Sequence, residues 1–99
     1  MSNDVNMINT FNHAIKYKVS NIIFPLNYEE LINILAIYKK QNKLFIFVKQ
    51  INDDNIYFYK YNDAYYIISC NKITNQVNGY NIINFTNKDF CKVQTLNTI

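Results

Sequence analysis

Between Lys43 and Cys70 the chain passes through three segments crowded with Phe, Tyr, Ile and Val, and the last two are joined only by Asn62-Asp63. Branched and aromatic side chains fit a pleated, half-buried surface, and Asn and Asp tolerate the backbone of tight turns. Lys43 to Ile51, Asn55 to Tyr61 and Ala64 to Cys70 therefore read as successive antiparallel strands.

Side chains alternate across a sheet, so turn lengths set the register. A two-residue loop at Asn62-Asp63 places Tyr59 opposite Tyr66 and Tyr57 opposite Ile68. A four-residue loop over Asn52 to Asn55 places Val48 opposite Tyr59 and Ile46 opposite Tyr61. One face then carries Leu44, Ile46, Val48, Tyr57, Tyr59, Tyr61, Tyr66, Ile68 and Cys70. The other carries Phe45, Phe47, Lys49, Ile51, Ile56, Phe58, Lys60, Tyr65 and Ile67. Both are largely apolar, so both need cover.

Further on, Asn78-Gly79 holds the chain's one glycine in the dipeptide that most favours a hairpin, which sets Lys72 to Val77 against Tyr80 to Phe85. A meander of four or five strands follows.

The cover for one face is legible upstream. Pro25 precedes Asn27, and Glu30 stands three positions after Asn27, the spacing of a reciprocal cap at a helix start. Glu29 and Glu30 in the first turn and Lys39 and Lys40 in the last complement the helix dipole. The pattern predicts a main helix over about 27–41, with Leu31, Ile34, Leu35 and Tyr38, widened by Ile32, as its apolar stripe. Such a helix is about 20 Å long and shelters one face only. In residues 1–20, Val5, Ile8, Phe11 and Ile15 recur at helical spacing, while Ile15, Tyr17 and Val19 alternate as in a strand. A short helix followed by a short strand is expected. Thr86 and Asp89, ahead of Phe90, Val93 and Leu96, suggest a short C-terminal helix. At 99 residues the expected whole is one α+β domain: an antiparallel meander packed against one main helix.

Composition narrows the function classes. Hydrophobic residues are 49% and charged ones 17%, a balance that folds and is not disordered. Eighteen Asn, 16 Ile, 10 Lys and 9 Tyr with neither Arg nor Trp are the residues of AT-rich codons. An AT-rich bacterium, mobile element or virus is the implied origin. The sequence starts without the basic and apolar pattern of a secretion signal, and no apolar run approaches the ~20 residues of a membrane helix. An intracellular, cytoplasmic protein without a membrane partner is expected, with Cys70 and Cys91 reduced.

Chemistry-bearing patterns are sparse. A zinc site needs about four ligands, against which stand His13 and two distant cysteines. Glu29/Glu30 belong to a helix start and Asp53/Asp54 to a turn, and one glycine builds no phosphate-cradling loop. No catalytic residue, metal or cofactor is expected, and the chain reads as a non-enzyme.

Phenylalanines bury completely more readily than tyrosines, whose hydroxyls seek water or a partner. The Phe face is therefore assigned to the main helix, with Lys49 and Lys60 reaching to its rim. The Tyr face is left partly open, unless the N-terminal helix or the tail covers it. An open Tyr face makes Tyr57, Tyr59, Tyr61 and Tyr66 candidate partner-binding residues, since Tyr offers a large contact area at small entropic cost. The partner would be another protein, such as a toxin, a nuclease or a host-defence component. Its functional surface would be occluded in the manner of immunity proteins, antitoxins and phage inhibitors, which share this size and composition. The alternatives are a single-stranded nucleic-acid-binding module using sheet aromatics and lysines, and a homodimer that buries the second face.

Overall fold

The computed structural model describes residues 2–22, 26–86 and 88. In chain order it contains α1 (Ser2–Lys16), α2 (Tyr28–Gln41), β1 (Phe45–Ile51), β2 (Asp54–Tyr61), β3 (Ala64–Asn71) and β4 (Val77–Ile83). The strands form one antiparallel sheet in the order β1-β2-β3-β4, an α+β arrangement.

α2 starts and stops for local reasons. The Asn27 side chain accepts the Glu30 N–H at 2.8 Å, and the Glu30 carboxylate accepts the Asn27 N–H at 3.2 Å. At the other end Asn42 turns left-handed, φ 53°, and donates its N–H to the Tyr38 carbonyl. α1 runs longer than the expected short helix. It closes where Lys18 adopts φ 56°, with Val19 N–H donating to Ala14 and Lys18 N–H to Ile15. The alternation at Ile15, Tyr17 and Val19 is thus spent on a helix end, and the expected strand shrinks to one parallel bridge between Asn21 and Tyr80.

The Asn62-Asp63 hairpin forms as expected. Both residues are left-handed, φ 48° and 64°, and Tyr59 stands opposite Tyr66. The first hairpin differs from expectation, because Asn52 takes φ 54° and Ile51 already pairs with Asp54. The loop has two residues instead of four, and Phe45 faces Tyr59 while Phe47 faces Tyr57. A bulge between Phe47 and Lys49 then shifts the phase of the strand. Phe45 consequently packs with the tyrosines, whereas Ile46, Val48 and Ile51 pack with Phe58.

Gly79 also departs from expectation. It lies inside β4 opposite Ser69, so among the described residues the sheet has four strands and the Asn78-Gly79 hairpin does not form. The turn before β4 is organised instead by Asn71, whose side chain accepts the N–H groups of Ile73 and Thr74. Glycine is required at 79 because the chain crosses it. A Cβ there would stand 2.8 Å from the Ser20 carbonyl oxygen and 2.9 Å from Ile22 Cγ2. Tyr80 N–H donates to that Ser20 oxygen, and Ile22 N–H donates to Tyr80. Residues 20–22 thereby strap the edge of β4.

The core has two halves, on opposite faces of the sheet. Ile32, Ile34 and Leu35 of α2 bury against Ile56, Phe58 and Ile67. Phe11 of α1 buries against Tyr59, Tyr66, Ile68, Cys70 and Tyr80. In place of one main helix serving the sheet, each face has its own. The expected C-terminal helix falls almost wholly outside the described residues, as does Cys91.

A candidate protein-binding edge

The four tyrosines singled out in the sequence share a face, but that face is not open. Tyr59 is 2% exposed and Tyr66 8%, because Phe11 stands over them as the hub of an aromatic cluster. Its ring lies 5.3 Å from Tyr59, 5.4 Å from Tyr57 and 5.7 Å from Phe45. The Tyr59 hydroxyl donates to the Asn12 side chain one position along α1, which satisfies the polar tip of a buried ring. Burial pushes the Tyr59 and Tyr66 hydroxyls above their ordinary range. Tyr57 and Tyr61 are half-buried, the first against Phe47 and the second stacked on Tyr59.

The aromatic platform that a nucleic-acid reading needs is covered in the same way. Lys49 lies on the α2 face, where it pairs with Glu30 at 3.1 Å, away from the tyrosines. That ion pair is the rim placement expected of Lys49. With the Asn27 N–H as the larger cause, it holds the Glu30 carboxyl below its ordinary range.

The remaining chemistry-bearing groups are occupied or apart. His13 is exposed on α1 against Tyr17, while Cys70 is enclosed and its thiol is pushed up by burial, which disfavours the reactive thiolate. Asp54 accepts from the Asn78 amide at 2.7 Å, and Asp53 faces Lys72 at 3.9 Å. Among the described residues no group of three His, Cys, Asp or Glu is placed to hold a metal ion. No helix among them is long and apolar enough to cross a membrane.

What the molecule does present is the outer edge of β1. Leu44 is 54% exposed, Phe47 53% and Ile37 of α2 40%. They flank a cleft of about 620 Å³ that runs beside β1, with Asp4 and Ile8 of α1 on one wall and Ile37 and Gln41 of α2 on the other. The backbone there is oriented outward. Lys60 N–H donates to the Leu44 carbonyl at 3.0 Å, so alternation makes Ile46 and Phe58 the next bonded pair. The N–H and C=O groups of Phe45 and Phe47 consequently point away from β2, into the cleft. Sequence reasoning missed this edge although its signal was present: the first strand of a meander always has one unpaired side.

Comparison with protein-family models, with curated proteins and with solved structures finds no match for this chain.

Proposed function

We propose that this chain is a non-catalytic cytoplasmic protein that binds another protein and inhibits it by covering its functional surface, as immunity proteins, antitoxins and anti-defence inhibitors do. The observation that supports this reading is the gathering of Leu44, Phe47 and Ile37, all substantially exposed, beside a strand edge that has no partner strand among the described residues. Exposed apolar side chains scattered singly are ordinary, but a contiguous set around a cleft marks an interaction surface. Unpaired strand edges that native proteins leave accessible are likewise used for partner capture. Of the four tyrosines, Tyr57 keeps a place in this surface through its packing on Phe47, while Tyr59 and Tyr66 serve the core.

The test uses the double variant Leu44→Asp/Phe47→Asp beside the wild type, each immobilised and exposed to lysate of the organism that encodes the chain. One protein should be retained stoichiometrically by the wild type, its activity should fall as wild-type protein is titrated in, and both effects should weaken at least tenfold in the double variant. Equal retention by both, or a retained protein whose activity is untouched, would overturn the proposal.

A further inference from the structure

The Asn78-Gly79 pair, which forms no hairpin, is left with a different chemistry. Asparagine before glycine is the pair in which a backbone nitrogen most readily attacks a side-chain amide, because glycine has no Cβ to hinder the approach. This chain has one glycine and therefore one such pair. The fold cannot remove it by substitution at 79, since the strap passes 2.8 Å from where a Cβ would stand. The contact that seals the β4 edge thus requires the residue that makes Asn78 reactive.

In the folded chain both reacting groups are held. Tyr80 gives its N–H and its C=O to the strap, so by alternation Gly79 turns its own N–H toward Ser69 on β3. The Asn78 side-chain amide donates to Asp54 Oδ1 at 2.7 Å, and the Asn78 carbonyl accepts the Ser20 hydroxyl at 3.1 Å. Asn78 itself is exposed and is the extra residue of a bulge, because Ser69 faces Gly79 while Cys70 faces Val77. With no residue opposite it on β3, its conformation rests on Asp54, on Ser20 and on the bond from Gly79. Attack requires the Gly79 nitrogen to leave Ser69 and the Asn78 amide to leave Asp54, which is a local opening of β4 and its strap.

We infer that Asn78 is a self-modification site gated by the β4 edge: opening lets its amide become a carboxylate, and the new charge beside Asp54 keeps the strap from reseating. In the first step the Gly79 nitrogen bonds to Asn78 Cγ and gives up its proton, the Cγ–Nδ2 bond breaks, and ammonia leaves. In the second, water adds to either carbonyl of the resulting cyclic imide and breaks its C–N bond. The product is aspartate, or its isomer in which the backbone runs through the side chain. Asp54 then meets an anion where it accepted a hydrogen bond, and like charges so placed repel. Lys72, the cation of this turn, already faces Asp53 at 3.9 Å. The isomer also lengthens the backbone ahead of Tyr80, which takes the bonds from Tyr80 to Ser20 and from Ile22 to Tyr80 out of register.

The test follows the full chain by peptide mass in mildly alkaline buffer, folded and in urea, with Asn78→Gln as the control that removes the site. In urea, position 78 should change from amide to acid at least tenfold faster than any other asparagine, and at least tenfold faster than in the folded chain. Asn78→Asp supplies the product's charge directly. It should speed hydrogen exchange at the Tyr80 amide at least fivefold relative to the amides of β2, and adding Asp54→Asn, which restores a donor–acceptor pair, should reverse this. Modification at 78 no faster in urea than at other asparagines overturns the site. Equal rates in the folded and unfolded chain overturn gating by the edge. Unchanged Tyr80 exchange in Asn78→Asp, a rise shared equally by β2, or no recovery with Asp54→Asn overturns the part given to the new carboxylate.

Discussion

The two edges of this sheet are made of similar residues and treated in opposite ways. At β4 the chain passes close enough to touch the backbone, with Ser20 and Ile22 bonded to Tyr80 on either side of Asn21 and the Ser20 hydroxyl donating to Asn78. At β1 the two helices stand back and leave Phe45 and Phe47 unbonded on their outer side. Gly79 decides the first outcome, since any larger residue would collide with the strap. Among the described residues nothing comparable approaches β1, where a bulge and flanking lysines limit the run open to pairing. An edge is closed by a specific tertiary contact; its own composition only sets how far an uncovered edge extends.

That contrast can be broken in graded ways. Removing the helix that seals the tyrosine face should cost most: Phe11→Ala empties the centre of that cluster and should lower unfolding free energy by about 4 kcal/mol in a urea titration. Gly79→Val forces the strap off its seat and should cost about 2–3 kcal/mol, because the obstructing atom is a backbone carbonyl that cannot simply rotate away. A neutral Gly79→Val would mean that the β4 edge is not held closed. Asn27→Ala, which undoes the reciprocal cap on α2, should cost about 1 kcal/mol by the same measurement.

The tyrosine face should also be visible in alkaline titration. Tyr59 and Tyr66 have hydroxyls raised above 10.0, chiefly by burial, so the folded state favours their protonated form. Their contribution is complete below that value and is lost as pH rises through the higher folded-state values. Stability should therefore decline with pH there, and Tyr59→Phe should flatten the decline while costing about 1 kcal/mol at neutral pH through the lost bond to Asn12. The smallest effect belongs to the open edge: Leu44→Asp/Phe47→Asp should change stability by no more than about 0.5 kcal/mol per site, which thermal melts would show.

Legibility followed the range of the interactions. α2 was readable to within a residue because Asn27, Glu30 and the terminal lysines act within the helix itself. The Tyr59–Tyr66 register was readable because Asn62-Asp63 admits one geometry. The first hairpin was not, since Asn52 shortened its loop and the bulge at Val48 let Phe45 and Lys49 fall on opposite faces despite their even spacing. Gly79 misled for a related reason: Asn-Gly is a local turn signal, whereas here the glycine answers to Ser20, 59 positions away. The candidate site suffered most: the helical spacing of Val5, Ile8, Phe11 and Ile15 marked an apolar stripe, but which face of the sheet Phe11 closes is set by tertiary contacts that this spacing does not carry. The β1 edge itself followed from strand order alone.

The strap at β4 also orders events during synthesis. Phe11 leaves the ribosome early, yet one of the rings it packs with, Tyr80, is 69 positions behind it, so at about 5–20 residues per second roughly 3–14 s elapse before α1 meets a finished surface. α1 is made before the strands it packs on and is secured only after them, and in the interval its apolar side and the tyrosine face travel uncovered, within reach of whatever binds nascent chains.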